Sequence, residues 1–151
     1  MDRMSHGSEG VMIRCLIACL CLMFTSLEAK ATFLDIKVSI SGQMMSFVDP
    51  YSRERVEWPV STARPGKITP KGTYQPYLMR EMHYSSLYNN APMPYSIFYS
   101  GHYAIHGTDR TEKLGSPASS GCVRLHPENA KRLFQLVEQL GSDRTFITIK
   151  N

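Results

Sequence analysis

His106 and Cys122 are the two side chains in this 151-residue chain best suited to covalent chemistry. A thiol becomes a nucleophile when a base takes its proton, and imidazole is the side chain whose proton affinity best matches neutral pH. His106 ends the strand-like run Tyr103-Ala104-Ile105-His106 and is followed by Gly107. Cys122 comes sixteen positions later, within Ser119-Ser120-Gly121-Cys122-Val123-Arg124. Cys with His is the minimum apparatus for nucleophilic catalysis by sulfur. Pairing with imidazole is expected to lower the thiol pKa and enlarge the thiolate fraction. Gly121 permits a tight turn that would aim nearby amide hydrogens at a developing oxyanion.

The other three cysteines, Cys15, Cys19 and Cys21, all lie in one apolar segment that follows Arg14 and precedes Ala29-Lys30-Ala31. A charged start, a short apolar middle and a small-residue exit are the marks of a secretory signal. Residues 1–31 are therefore expected to be a signal peptide, for which Met12 is a better start than Met1. Leu16-Ile17-Ala18-Cys19 also has the form of a lipoprotein processing site. Cys122 is then a lone thiol in an exported protein, to be explained by intermolecular pairing, core packing or chemistry. Residues 32–151 make one ordinary domain, large enough to bury a core without disulfides. No later segment approaches the roughly 20 apolar residues of a membrane span, so no transmembrane segment is expected after signal removal.

The formal net charge is +4, and removing residues 1–31 takes away Arg3, Arg14 and Lys30 with Asp2, Glu9 and Glu28, leaving the balance unchanged. That charge suits work near an anionic polymer, and it is too small and too evenly spread for a nucleic-acid partner.

The elements that must position the pair are mostly strands. Leu34-Asp35-Ile36-Lys37-Val38-Ser39-Ile40 alternates apolar and polar residues, Gln43 to Val48 reads as a second strand after Ser41-Gly42, and Val56 to Val60 as a third after Asp49-Pro50-Tyr51-Ser52. Residues 64–73 carry two prolines and two glycines and predict an irregular loop. Met79 to Tyr99 is rich in Tyr, Met, Asn and Pro and ends in the strand-like run Ile97-Phe98-Tyr99. It is either a loop lining a substrate groove, with Tyr95 as a contact, or aromatic core. From Pro127 to Leu140, Ala130, Leu133, Phe134, Val137 and Leu140 recur at helical steps, with Gly141 at the stop, and Thr145 to Ile149 is a last strand. The pattern predicts a mainly β domain with one substantial helix. His102 shares the period-two face of His106, whereas His83 and His126 read as surface residues. Zinc held by His102, His106 and Cys122 lacks the ligand number and compact spacing of a usual site, so no metal is expected.

Ile105-His106-Gly107-Thr108 and Pro117-Ala118-Ser119-Ser120-Gly121-Cys122-Val123-Arg124-Leu125 together resemble the active-site signature of the L,D-transpeptidases, the YkuD-domain family of bacterial cell-wall enzymes. Thr69-Pro70-Lys71-Gly72-Thr73-Tyr74 and Val60-Ser61-Thr62-Ala63 resemble two further family motifs, in the right order. The resemblance implies a β-sandwich with one helix, Cys122 as nucleophile, His106 as general base, the Gly107 carbonyl orienting its ring and Gly121 in the oxyanion region. It implies that Arg124, the basic residue two places after the nucleophile, either offers its planar fork to a substrate carboxylate or pins the loop by donating to backbone carbonyls. Ser119 and Ser120 beside the nucleophile, and Tyr95 of the aromatic segment, are the further candidate substrate contacts. The implied partners are peptidoglycan stem peptides, with a second stem or an envelope protein as amine acceptor, in the periplasm, without a cofactor. The chain departs from the family's Ser-His-Gly-Cys in having Ser120 in place of the imidazole. A stem-peptide carboxypeptidase or a wall-binding module without activity remain alternatives.

Overall fold

The computed structural model describes residues 32–151; the expected signal peptide and its alternative start and lipidation site lie outside the described residues. The chain opens with β1 (Leu34–Ser39), β2 (Met44–Val48) and β3 (Arg55–Pro59), an antiparallel meander. Leu34, Ile36 and Val38 are fully buried and Asp35 and Lys37 exposed, the alternation a one-sided sheet demands. The corner after β2 is set by Asp49, whose carboxylate accepts the amides of Tyr51 at 2.9 Å and Ser52 at 3.1 Å.

Then follow β4 (Gly72–Tyr74), β5 (Leu78–Tyr84), β6 (Pro92–Ser100), β7 (Tyr103–Gly107), β8 (Val123–Leu125), the helix α1 (Pro127–Leu140) and β9 (Thr145–Lys150). One sheet has the order β3-β2-β1-β9-β4 and the other β5-β6-β7-β8. β9 runs parallel to β1, and β8 parallel to β7. Ile97, Ile105 and Val123 from the second sheet share one core with Ile36 and Ile147 from the first and with Leu133 of α1. The result is the mainly β, two-sheet architecture with one helix that the sequence predicts.

His126 is exposed, as the sequence reading has it, and it also serves as the N-cap of α1, its Nδ1 accepting the Glu128 amide at 3.4 Å. Gly141 closes the helix at φ 101, in the region that favours glycine. Two expectations are corrected here. The loop over residues 64–73 ends in the short strand β4, which pairs with β9. Within residues 79–99 the strand-like run at 97–99 lies in β6 as expected, but the segment before it is not a loop: it forms the greater part of a long hairpin, β5 with β6. β5 lies at the sheet edge and is exposed or half-buried throughout, so it carries no two-residue apolar period for a sequence reading to find.

Candidate active site

The parallel pairing of β7 with β8 brings the motif residues together. Ile105 stands opposite Val123, and His106 opposite Arg124. Residues in register on neighbouring strands share a face. Ile105, Val123 and Leu125 therefore enter the main core, while His106, Arg124 and Cys122, one residue before β8, belong to the other face. Cys122 packs there against a small apolar cluster of Met93, Phe98 and Ala104. An open cavity of about 370 Å³ lies over this face, with His106, Cys122, Arg124, Ser120, His102 and His83 in its wall. That volume falls within the usual range for ligand sites.

His106 is buried, and its Nδ1 lies 2.7 Å from the Gly107 carbonyl oxygen. A carbonyl can only accept, so Nδ1 carries the hydrogen and Nε2 keeps a lone pair. Burial pushes the His106 pKa down from 6.5 to about 4, against the upward pull of the Gly107 hydrogen bond and with smaller downward pushes from Arg124 and His83. The ring is thus neutral at physiological pH. Burial likewise pushes the Cys122 thiol up, and the Ala104 backbone hydrogen bond and the Arg124 charge offset this only in part. The expected lowering of the thiol pKa is therefore corrected: desolvation outweighs the favourable partners. A neutral thiol and a neutral imidazole can do general-base chemistry, in which the proton leaves sulfur as sulfur attacks.

The loop before β8 is held by backbone and hydroxyl contacts from the first sheet's end of the chain. Ser61 and Arg124 exchange N–H to carbonyl bonds of 3.0 and 2.9 Å, and the Thr62 carbonyl accepts the amides of Ala118 and Ser119. Thr69 accepts the Ala63 amide at 3.0 Å and donates to the Gly121 carbonyl at 2.8 Å. Ser119 is fully buried; its hydroxyl donates to the Cys122 carbonyl at 2.6 Å and accepts the Gly121 amide at 3.0 Å. Ser119 thus braces the loop rather than presenting its hydroxyl to substrate. The Gly121 amide is engaged by that hydroxyl, so it is not free to face an oxyanion. Gly121 sits at φ +135, and a Cβ there would lie 2.4 Å from the Tyr103 ring and 2.7 Å from the Ile68 carbonyl oxygen. Only glycine fits.

Other expected site residues are placed differently. Ser120 lies in the cavity wall, and its hydroxyl accepts from Arg64 at 2.7 Å. Arg124 reaches the Ala118 carbonyl at 3.5 Å and also lines the cavity, so both of its expected roles are open to it. Tyr95 is not brought to the site: its ring meets Phe134 of α1 edge-on at 5.8 Å. His102 stacks on Tyr103 at 4.3 Å in the wall, and its carbonyl faces the Cys122 sulfur at 3.8 Å. Sequence reasoning missed His83, which stands edge-on to Phe98 in the cavity wall, and Arg64, which immediately follows the Val60–Ala63 motif. Position next to a motif is the only sequence signal for Arg64; His83 has none, because the exposed edge strand β5 carries no apolar period. Among the described residues no group of three or more His, Cys, Asp and Glu side chains is disposed to hold a metal ion. No described helix is long and apolar enough to cross a membrane.

Fold and site together define a small two-sheet β domain with a buried histidine and, as the one cysteine among the described residues, Cys122 on the wall of one cavity. The family profile described as the L,D-transpeptidase catalytic domain, YkuD, matches residues 35–148. This chain belongs to that family. A Bacillus licheniformis protein bearing the name L,D-transpeptidase YkuD is 26% identical over 111 residues, which is 68% of this chain and 59% of that protein. A Bacillus subtilis protein bearing the name L,D-transpeptidase YqjB is 46% identical over 35 residues, 23% of this chain and 20% of that protein. The matches thus span 59% or less of these two relatives' length. Among solved structures, an L,D-transpeptidase from Mycobacterium tuberculosis H37Rv superposes with a TM-score of 0.69 at 16% identity, covering 80% of this chain and 58% of that one. L,D-transpeptidase 3 from Mycobacterium tuberculosis, solved with a faropenem-derived adduct, gives 0.64 at 17% identity, covering 80% and 61%. At these identities the superpositions establish the fold.

Proposed function

We propose that this chain is an exported cysteine L,D-transpeptidase acting on peptidoglycan stem peptides at the cell envelope. The carrying observation is that a buried imidazole with Nε2 left basic and a half-buried thiol occupy the same face of β7 and β8 beneath one open cavity. In the proposed reaction Nε2 of His106 takes the Cys122 proton as sulfur attacks the carbonyl of the third stem residue. The imidazolium then protonates the departing amine, the terminal D-alanine leaves, and the acyl group stays on sulfur as a thioester. An amine attacks that thioester, gives up a proton to His106 and frees the thiol. If the amine belongs to a neighbouring stem the product is a three-to-three crosslink; if it belongs to an envelope protein, the protein is anchored. Every step is proton and acyl transfer, so the scheme needs no cofactor. The Mycobacterium tuberculosis neighbour that shares this fold was solved with a faropenem-derived adduct, which supports a reading of the fold as one that serves acyl chemistry.

Incubation with a tetrapeptide donor followed by intact-protein mass spectrometry is the test. The expected result is a mass gain equal to the acyl tripeptide, stoichiometric release of D-alanine, and no adduct on the Cys122→Ala variant. A persistent adduct on that variant would overturn the assignment, as would the absence of any adduct on the unaltered chain. Adding a diamino acceptor should convert the adduct to a crosslinked peptide faster than water hydrolyses it; hydrolysis alone would make the protein a carboxypeptidase.

A further inference from the structure

Three guanidinium groups line one cavity without a carboxylate partner. Arg64, Arg110 and Arg124 stand in the wall with Cys122, and none of them enters an ion pair within 4.0 Å among the described residues. Asp109 is the one carboxylate in that wall, so the formal balance there is positive. The arginines feel one another: burial first, and then the charges of Arg110 and Arg64, lower the proton affinity of Arg124, with Cys122 and Asp109 acting in the opposite sense. Like charges gathered at a cleft raise the local concentration of anions and stabilise a bound one. Arg64 is exposed, yet it is not loose. Its Nη1 donates to the Ser120 hydroxyl at 2.7 Å and lies 3.4 Å from the Ser119 carbonyl, and its own amide donates to that carbonyl at 2.9 Å.

Ser120 is the position at which this chain departs from the imidazole usual in the family signature. A serine hydroxyl carries no charge, but it accepts a hydrogen bond. Here it accepts one from a group that is always charged. The substitution thereby places a permanent cation beside the loop that ends in Cys122, where an imidazole would be charged only in part at neutral pH.

We propose that Arg64, held by Ser120, forms with Arg124 a carboxylate-binding position that selects acyl donors carrying a free C-terminal carboxylate beside the scissile bond. This deepens the transpeptidase reading and rests on it. A guanidinium meets a carboxylate through two parallel N–H bonds, a geometry that an amide or an extended peptide cannot reproduce. Arg64 is thus a specificity-determining residue, and Ser120 a positioning residue that acts through it. Arg110 adds charge to the same wall without a hydrogen bond to the loop.

Two donors separate the outcomes: a tetrapeptide with a free C-terminal carboxylate and the same peptide as its C-terminal carboxamide. Each is measured twice, for equilibrium binding to the full chain carrying Cys122→Ala and for thioester formation on the chain with Cys122 intact. The expected result is at least a tenfold preference for the acid in both measurements. Arg64→Gln reduces that preference to within about threefold, mainly by weakening the acid. Arg64→Lys retains part of it, and Ser120→Ala gives an intermediate loss. Arg80→Gln, on the exposed edge strand outside the cavity, leaves it unchanged. Equal binding of acid and amide by the parent overturns the proposal, as does an Arg64→Gln variant that weakens both donors alike. If the binding preference appears and depends on Arg64 but no thioester forms, the carboxylate position stands and the transpeptidase reading falls. If thioester forms without preference, the reverse holds.

Discussion

At His106 the same burial that excludes water also decides how the reaction is run. A ring with a pKa of about 4 is unprotonated throughout the neutral range, and the Cys122 thiol, pushed up by burial, is protonated there. Proton and acyl transfer are then coupled, and the pH profile follows from that. For a base with its ordinary pKa, acylation would fade below about 6.5. Here kcat/KM for thioester formation should hold steady from pH 8 down to about 5 and fall with an apparent pKa near 4. An acid limb at 6.5 would show that the ring is not buried as described. His106→Gln should slow acylation by about 10²- to 10⁴-fold, the usual worth of a general base, with little change in donor binding to the Cys122→Ala chain. Alkylation of Cys122 by iodoacetamide at pH 7 should be slow and should accelerate on raising the pH past the ordinary thiol value. Slow alkylation is thus compatible with an active enzyme, and only acylation by a donor separates an active site from a degenerate one.

The elements hold the loop before β8 through paired backbone and hydroxyl groups. Ser119 satisfies the Gly121 amide and the Cys122 carbonyl at once, both within a loop bound to residues 61–64. Ser119→Ala leaves those groups without that partner and should cost about 1–3 kcal/mol of stability, measurable from the urea midpoint. Gly121→Ala should do more harm, because the added methyl meets the Tyr103 ring and the Ile68 carbonyl at a φ alanine avoids. Its acylation rate should drop even where folded protein is recovered. These tight requirements explain what the sequence makes legible. Where backbone geometry admits one residue type, as at Gly121, or where one hydroxyl bridges two segments, as at Thr69, the residue appears in a recognisable motif. β1, α1 and β9 are legible for a related reason, since a one-sided element repeats its apolar residues at the period of its backbone. β5 escapes because an exposed edge strand imposes no such period. Arg64 and His83 escape because they meet the site only through pairing across the fold; Arg64 reaches Ser120 over 56 positions of sequence. Tyr95 misled in the opposite direction: an aromatic in a Pro-rich segment is as useful to a helix interface as to a groove, and Phe134 takes it.

For the domain as a whole, the buried site ties stability to pH in a way that can be separated from the rest of the fold. His106 has a pKa of about 4 when folded and about 6.5 when the chain is open, so the unfolded state binds the proton first as pH falls. Stability from this group is complete above about 6.5 and is lost progressively down to about 4, below which both states are protonated; the gap between the two values is worth about 3 kcal/mol. Asp49 acts lower on the scale. Burial raises its pKa, but the Ser52 and Tyr51 amides and Arg132 together bring it below the ordinary carboxylate value. Its contribution is present above about 3.8 and is lost as pH falls below that. Urea unfolding of residues 32–151 at fixed ionic strength should therefore weaken in two stages on acidification. His106→Gln should flatten the stage between pH 6.5 and 4 and leave the lower one, and Asp49→Asn should flatten the lower and leave the upper. Equal slopes for His106→Gln and the parent chain between pH 6.5 and 4 would mean that the imidazole is hydrated in the folded protein. The neutral-pair mechanism and the acid limb near pH 4 would then both fall, because they depend on the same desolvation.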